Sequence, residues 1–120
     1  KMLKKGTELF IGAKKEEKYG HIILCGLGGI FIEVFKDFSA ALAPISNQEA
    51  LEMIRSLKSY PLFKGVRGKK GINENKFAEI IVNLSNLLKE VPEIVELDLN
   101  PLIAVEDEII VVDSRIRLEK

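Results

Sequence analysis

The stretch that most constrains the fold is VELDLNPLIAVEDEIIVVDSRI, Val95 to Ile116. Apolar and polar residues alternate along two arms, with the acidic pair Glu106-Asp107 between them. Period-two alternation on both sides of a short polar turn reads as a β-hairpin. If Glu106-Asp107 is the loop, Val105 faces Glu108, Leu102 faces Val111 and Asn100 faces Asp113. A four-residue loop from Val105 to Glu108 keeps that register. A three-residue loop slips it by one and sends the pair to opposite faces. In the first register one face gathers Asp98, Asn100, Asp113 and Arg115, and turns apolar near the loop with Leu102, Ile109 and Val111. The other face gathers Leu97, Leu99, Ile103, Val105, Ile110 and Val112, the expected core. Pro101 cannot donate to a ladder, so an edge or a bulge is expected there.

The polar end of this hairpin has a specific chemistry. Directly opposed Cβ atoms lie about 4.5–5.5 Å apart. The amide oxygen of Asn100 and the carboxylate of Asp113 are hard ligands suited to Mg2+, which takes one or two protein oxygens and completes its shell with water and phosphate. Arg115 can grip a phosphate through two N–H donors. The alternative is an exposed polar end carrying an ordinary Asp–Arg pair of about 0–1 kcal/mol.

Upstream, Thr7 to Ala13, His21 to Cys25, Ile30 to Phe35 and Phe38 to Leu42 read as strands, with a charged turn from Lys14 to Gly20. Ser46-Asn47-Gln48-Glu49 is a capping box, and Ala50, Met53, Ile54 and Leu57 follow at helical spacing. Tyr60-Pro61 is expected to end that helix. A second helix is predicted from about Asn75 to Glu90, with Phe77, Ile80, Ile81, Leu84 and Leu88 on one stripe and Val91-Pro92 as its stop. The tail returns to β structure over Ile94 to Asn100, Leu102 to Val105 and Ile109 to Ile116. The sum is one α+β domain spanning residues 1–120, a mostly antiparallel sheet with two helices on one face.

GLGGIFIEVFKD, Gly26 to Asp37, resembles a dinucleotide-binding turn only superficially. The fingerprint G-x-G-x-x-G needs a sixth-position glycine and a helix to hold the pyrophosphate; here that position is Phe31, in a β-branched and aromatic run. The glycines read instead as a bulge or a close backbone approach. Glu33 shares a strand face with Phe31 and Phe35; the bland reading is a partly exposed glutamate paired with Lys36 or another lysine. His21 reads as a strand histidine satisfied by a neighbour, and Cys25 as core filler. The basic loop from Lys64 to Gly71 lacks the P-loop spacing, although Arg67 and exposed amides there can meet an anion; a solvated loop is the alternative.

The totals exclude several classes. Eighteen basic and eighteen acidic residues leave no net charge, and so no bulk attraction to nucleic acid or membrane. No apolar run approaches the ~20 residues of a membrane span. A single cysteine leaves no intramolecular disulfide, and a cytoplasmic setting is expected. The opening KMLKKG, with Lys1 ahead of Met2 and no secretory leader, reads as an excerpt of a longer protein.

GTELFIGAKKEEKYGHIILCGLGGIFIEVFKDFSAALAPI, EALEMIRSLKSYPLFKGVRG and VPEIVELDLNPLIAVEDEIIVVDSRI, in that order, resemble the C-terminal half of the ATP-grasp domain in NDP-forming acyl-CoA synthetases. That family includes the ADP-forming acetyl-CoA synthetases and is related to succinyl-CoA synthetase β chains. The resemblance implies an acid–thiol ligase that interconverts acyl-CoA, ADP and phosphate with acid, CoA and ATP through a phosphohistidine. It implies ATP or ADP and Mg2+ as cofactors, and the CoA-binding and acyl-transfer domains as partners, in the same chain or in another subunit. By the same resemblance Asn100 and Asp113 match Mg2+-binding positions, and Asp98 matches an acidic position near the incoming phosphohistidine. Arg115 falls in a D-x-R-I element and is assigned a phosphate contact. Glu33 falls in a G-G-x-x-x-E element lining the nucleotide cleft. Glu8, in a G-x-E element after Gly6, is a nucleotide-side candidate whose alternative is an edge-strand charge. Arg67-Gly68 is a family element without an assigned role. His21 departs from the motif, where proline is usual, and takes no phosphoryl role. A non-catalytic subunit-interaction domain and an anion-binding module remain alternatives. The resemblance lacks the upstream half of the domain, so no synthetase activity is expected of these 120 residues alone.

Overall fold

The computed structural model describes residues 6–29, 36–65 and 71–119. The described strands are β1 (Thr7–Glu16), β2 (Gly20–Leu27), β3 (Phe38–Leu42), β4 (Ile94–Val105), β5 (Glu108–Val111) and β6 (Ser114–Leu118). The helices α1 (Asn47–Arg55), α2 (Tyr60–Lys64) and α3 (Glu74–Glu90) lie between β3 and β4. Every strand pair is antiparallel, in the order β3-β2-β1-β4-β5, and β6 pairs with the same strand β4 as β5 does. The α+β reading therefore holds, with three helices among the described residues rather than two.

One face of the sheet is covered. Leu9, Ile11 and Ala13 of β1 and Ile23, Cys25 and Leu27 of β2 join Ala50, Met53 and Ile54 of α1 and Phe77, Ile81 and Leu88 of α3 in a single buried cluster. Full burial of each large side chain contributes about 1.5–3 kcal/mol, which holds the helix layer to the strands. Local chemistry sets the helix limits. Ser46 and Glu49 exchange the two bonds of the capping box, at 3.1 and 2.9 Å. Asn73 Oδ1 accepts from Lys76 N–H at 3.1 Å and starts α3. Tyr60-Pro61 does not end the first helix, which stops earlier, at the C-cap Ser56. Pro61 stands instead in the first turn of α2, where its missing N–H costs nothing.

Asp37 fastens the sheet to the turn between α1 and α2. Its two carboxylate oxygens accept from the backbone N–H groups of Lys58 and Ser59, at 2.7 and 2.8 Å. Burial pushes this carboxyl up. The two backbone N–H groups and the Lys58 charge outweigh it and hold the group below the ordinary carboxylate range.

The other strand readings are met in part. β3 has the expected bounds, and β1 runs on to Glu16, which leaves a shorter turn before Gly20. The expected strand over Ile30 to Phe35 lies outside the described residues. The single last strand over Ile109 to Ile116 is two strands, with residues 112 and 113 between them.

The two-residue loop is present: Val105 pairs with Glu108 and Leu102 with Val111. Glu106 takes φ +57°, a sense that two-residue hairpin turns require. The expected core face of the hairpin holds only up to Leu99. Beyond it Leu102 and Ala104 are buried and Ile109 packs on the core, whereas Ile110, Val111 and Val112 of the outer arm are 48%, 45% and 56% exposed. Ile103 and Val105 are only partly buried. The cause is a bulge. Leu9 pairs with Leu102 and Ile11 with Leu99, so Asn100 and Pro101 together stand opposite the single residue Phe10. Two residues against one invert the alternation beyond that point. Pro101 thus occupies the bulge of an interior strand, not an edge.

Candidate nucleotide and cation site

Alternation along β1 puts Glu8, Phe10, Gly12 and Lys14 on the face opposite the helices. Cross-strand partners continue that face in rows. Ala40, Leu24, Gly12, Asp98 and Arg115 form one row across five strands. Leu42, Ile22, Lys14, Glu96 and Arg117 form the next. Phe10, Gly12, Lys14, Leu24, Asp98 and Arg115 line a groove of about 530 Å³ on this face. Gly12 leaves its floor low: a methyl there would lie 3.7 Å from Asp98 Oδ1, so the carboxylate leans over the glycine.

Asn100 and Asp113 are opposed, as the hairpin register requires. Asn100 N–H donates to the Asp113 carbonyl at 3.2 Å, between the pairs Leu99–Ser114 and Leu102–Val111. Alternation from Asp98 and Arg115 carries both residues onto the helix-free face. Both are exposed, and Asp113 Oδ1 also accepts from Ser114 N–H at 2.9 Å.

The two neighbouring acid–base couples behave differently. Glu96 and Arg117 close an ion pair, with Nη2 and Nε at 2.9 and 3.0 Å from one carboxylate oxygen. Asp98 and Arg115 are cross-strand partners in the same way, yet they form no ion pair. The ordinary Asp–Arg pair is therefore not what this end of the hairpin holds. An open carboxylate and an open guanidinium face the groove.

Glu8 lies near the same face, beside the glycine turn. Gly28 N–H donates to the Glu8 carbonyl at 2.9 Å, and a methyl on Gly29 would lie 3.6 Å from Glu8 Oε1. Gly29 has φ +62°, a conformation suited to glycine. β1 lies between β2 and β4, so Glu8 is not an edge-strand charge. Glu33 and Arg67 lie outside the described residues. Phe10, Gly12, Lys14 and Leu24 are not singled out from the sequence; the alternation of β1 carries the signal for the first three and the pairing of Gly12 with Leu24 adds the fourth, once β1 is known to border β4.

His21 is buried on the helix face, where its Nε2–H donates to the Ile94 carbonyl at 2.7 Å. It is the satisfied strand histidine that was expected. Cys25 is fully buried, and burial, with the negative charge of Asp37, pushes its thiol up to about 12.

Among the described residues no three His, Cys, Asp or Glu side chains converge as a metal cage. A site of one amide, one carboxylate, water and phosphate oxygens fits Mg2+ without one. No described helix is long and apolar enough to cross a membrane.

A family model described as an ATP-grasp domain matches residues 1–118. The chain belongs to the ATP-grasp domain family. It is 46% identical over 118 residues to the β subunit of acetate–CoA ligase [ADP-forming] I from Pyrococcus furiosus, covering 98% of this chain and 51% of that one. It is 46% identical over 105 residues to 4-hydroxybutyrate–CoA ligase [ADP-forming] from Nitrosopumilus maritimus, covering 88% of this chain and 15% of that one. A solved dinucleotide forming acetyl-coenzyme A synthetase 1 from Ca. Korarchaeum cryptofilum matches with a TM-score of 0.91 and 38% identity, over 98% of this chain and 55% of that one. That protein was solved with coenzyme A and Mg-AMPPCP, its phosphohistidine segment pointing towards the nucleotide binding site. This ATP-grasp chain thus spans about half of the separate β subunit and a small share of the longer ligase.

Proposed function

We propose that this chain is the C-terminal part of the nucleotide-binding ATP-grasp domain of a cytoplasmic NDP-forming acyl-CoA synthetase. The parent is then an acid–thiol ligase converting acyl-CoA, ADP and phosphate to acid, CoA and ATP by way of a phosphohistidine. The observation that carries this reading is the in-register opposition of Asn100 and Asp113, beside the open Asp98–Arg115 couple, in an ATP-grasp chain.

Each residue has a role in that reaction. Asn100 and Asp113 hold Mg2+, which supplies charge neutralisation at the nucleotide phosphates. Arg115 takes phosphate oxygens with donors that no described carboxylate occupies. Asp98 receives the incoming phosphohistidine, where an open carboxylate can orient an imidazole N–H. Glu8 and Glu33 border the nucleotide, and Arg67 meets an anion. Phosphoryl transfer of this kind depends on positioning and electrostatics more than on covalent work by the protein. The CoA-binding and acyl-transfer domains of the parent complete the enzyme.

Calorimetry of ADP and ATP binding to the intact parent protein, with and without Mg2+, tests the reading. Asn100→Ala combined with Asp113→Ala is expected to abolish the Mg2+-dependent part of the affinity and spare the rest. If the double variant keeps the full Mg2+ effect, the assignment is wrong.

A further inference from the structure

The bulge in β4 does more than invert the alternation. Leu99 and Leu102 both belong to the helix side, so Asn100 and Pro101 between them turn to the groove side together with Phe10. The second arm follows without slipping: Leu102 pairs with Val111 and Leu99 with Ser114, which leaves Val112 and Asp113 as the matching two residues. The kink therefore crosses two strands, and the irregular bonds Asn100 N–H to Asp113 O and Val112 N–H to Pro101 O bridge it, at 3.2 and 3.0 Å.

From β1, Phe10 alone meets this four-residue kink. Its side chain stands on the helix-free face yet is only 9% exposed. It is seated over Gly26: a methyl on Gly26 would lie 3.0 Å from Phe10 Cε2 and 2.6 Å from the Asp37 carbonyl oxygen. The same ring lines the groove that holds Asp98 and Arg115. A large, nearly buried side chain thus projects from the β1 residue that stands opposite the bulge, on the face to which the amide and carboxyl ligands turn.

Resting on the cation site proposed above, we infer that Phe10 is a positioning residue for it. Its ring, locked over Gly26, keeps the two-against-one bulge in place, and the bulge keeps the Asn100 amide and the Asp113 carboxyl presented side by side. Phe10 itself touches no metal. Removing the ring lets the strand relax around the bulge, and the pair loses its common aim while the fold survives.

The test is the ratio of ADP affinity with and without Mg2+, measured by calorimetry on the intact parent protein. Phe10→Ala is expected to lower that ratio by about tenfold, the lower end of what outer-shell partners of a metal site contribute. The affinity without Mg2+ is measured for each variant as the denominator of that ratio, so that any direct effect of the ring on the groove cancels. Phe10→Tyr, which keeps the ring, should retain the wild-type ratio. Met53→Ala, which opens the core on the helix side, should lower Tm and leave the ratio alone. Where Phe10→Ala does not fold, Phe10→Leu gives the same comparison. A wild-type ratio in the Phe10 truncation, or an equal drop in Met53→Ala, overturns this inference and leaves the cation site standing. A wild-type protein whose ADP binding ignores Mg2+ overturns both.

Discussion

Asp37 shows how one side chain can tie two layers together. A buried carboxylate that accepts two backbone N–H groups is worth far more than a surface ion pair, because losing it strands both donors. Asp37→Ala is expected to cost about 2–4 kcal/mol in urea unfolding, from two hydrogen bonds to a charged group at about 1.5–3 kcal/mol each, reduced by partial access to water. The folded carboxyl lies below its unfolded value of about 3.9, so its stabilisation is present above that pH and is lost as pH falls through the depressed value. Acid unfolding followed by circular dichroism should show this loss below about pH 4, and Asp37→Asn should flatten it. Gly26 is needed for a different reason: its neighbours leave no room for a methyl, so Gly26→Ala should lower Tm although the backbone there demands no unusual φ. Cys25, buried and with its thiol held up to about 12, should react with a thiol reagent only after denaturant has opened the sheet.

The elements differ in how far local sequence decides them. The capping box at Ser46 and Glu49 is self-contained, and Ser46→Ala should destabilise the chain by about 1 kcal/mol in denaturant titration while Ser46→Asp retains the cap. α3 was legible almost to the residue, because a stripe of five apolar side chains, an acidic first turn and a following proline all agree. α2 was not. Tyr60-Pro61 carries a stop signal and a start signal at once; α1 had already ended at Ser56, which left the proline free to begin a new helix. β4 was legible on the near side of Asn100 and misread on the far side. Alternation names a face only until a bulge intervenes, and Pro101 signalled a bulge without giving its consequence.

At the scale of the molecule, the chain has a closed core on one side of its sheet and a helix-free groove on the other. It spans about half of the β subunit it matches. The 120 residues alone are expected to form no ATP from acyl-CoA, ADP and phosphate in a coupled assay, and to bind nucleotide weakly; turnover by the isolated chain would contradict the proposed division of labour. By itself the sequence determined the α+β class, the helix caps, the hairpin register that opposes Asn100 to Asp113 and the family resemblance, since each rests on neighbours a few residues apart or on a motif in order. Only the tertiary structure decided that Phe10, Asp98 and Arg115 share one groove, that Asp98 and Arg115 stay apart while Glu96 and Arg117 close, and that the hairpin changes faces at Asn100. The shared groove and the change of faces depend on β1, some 90 residues upstream, and on one phenylalanine in it that meets two residues where regular pairing would offer one.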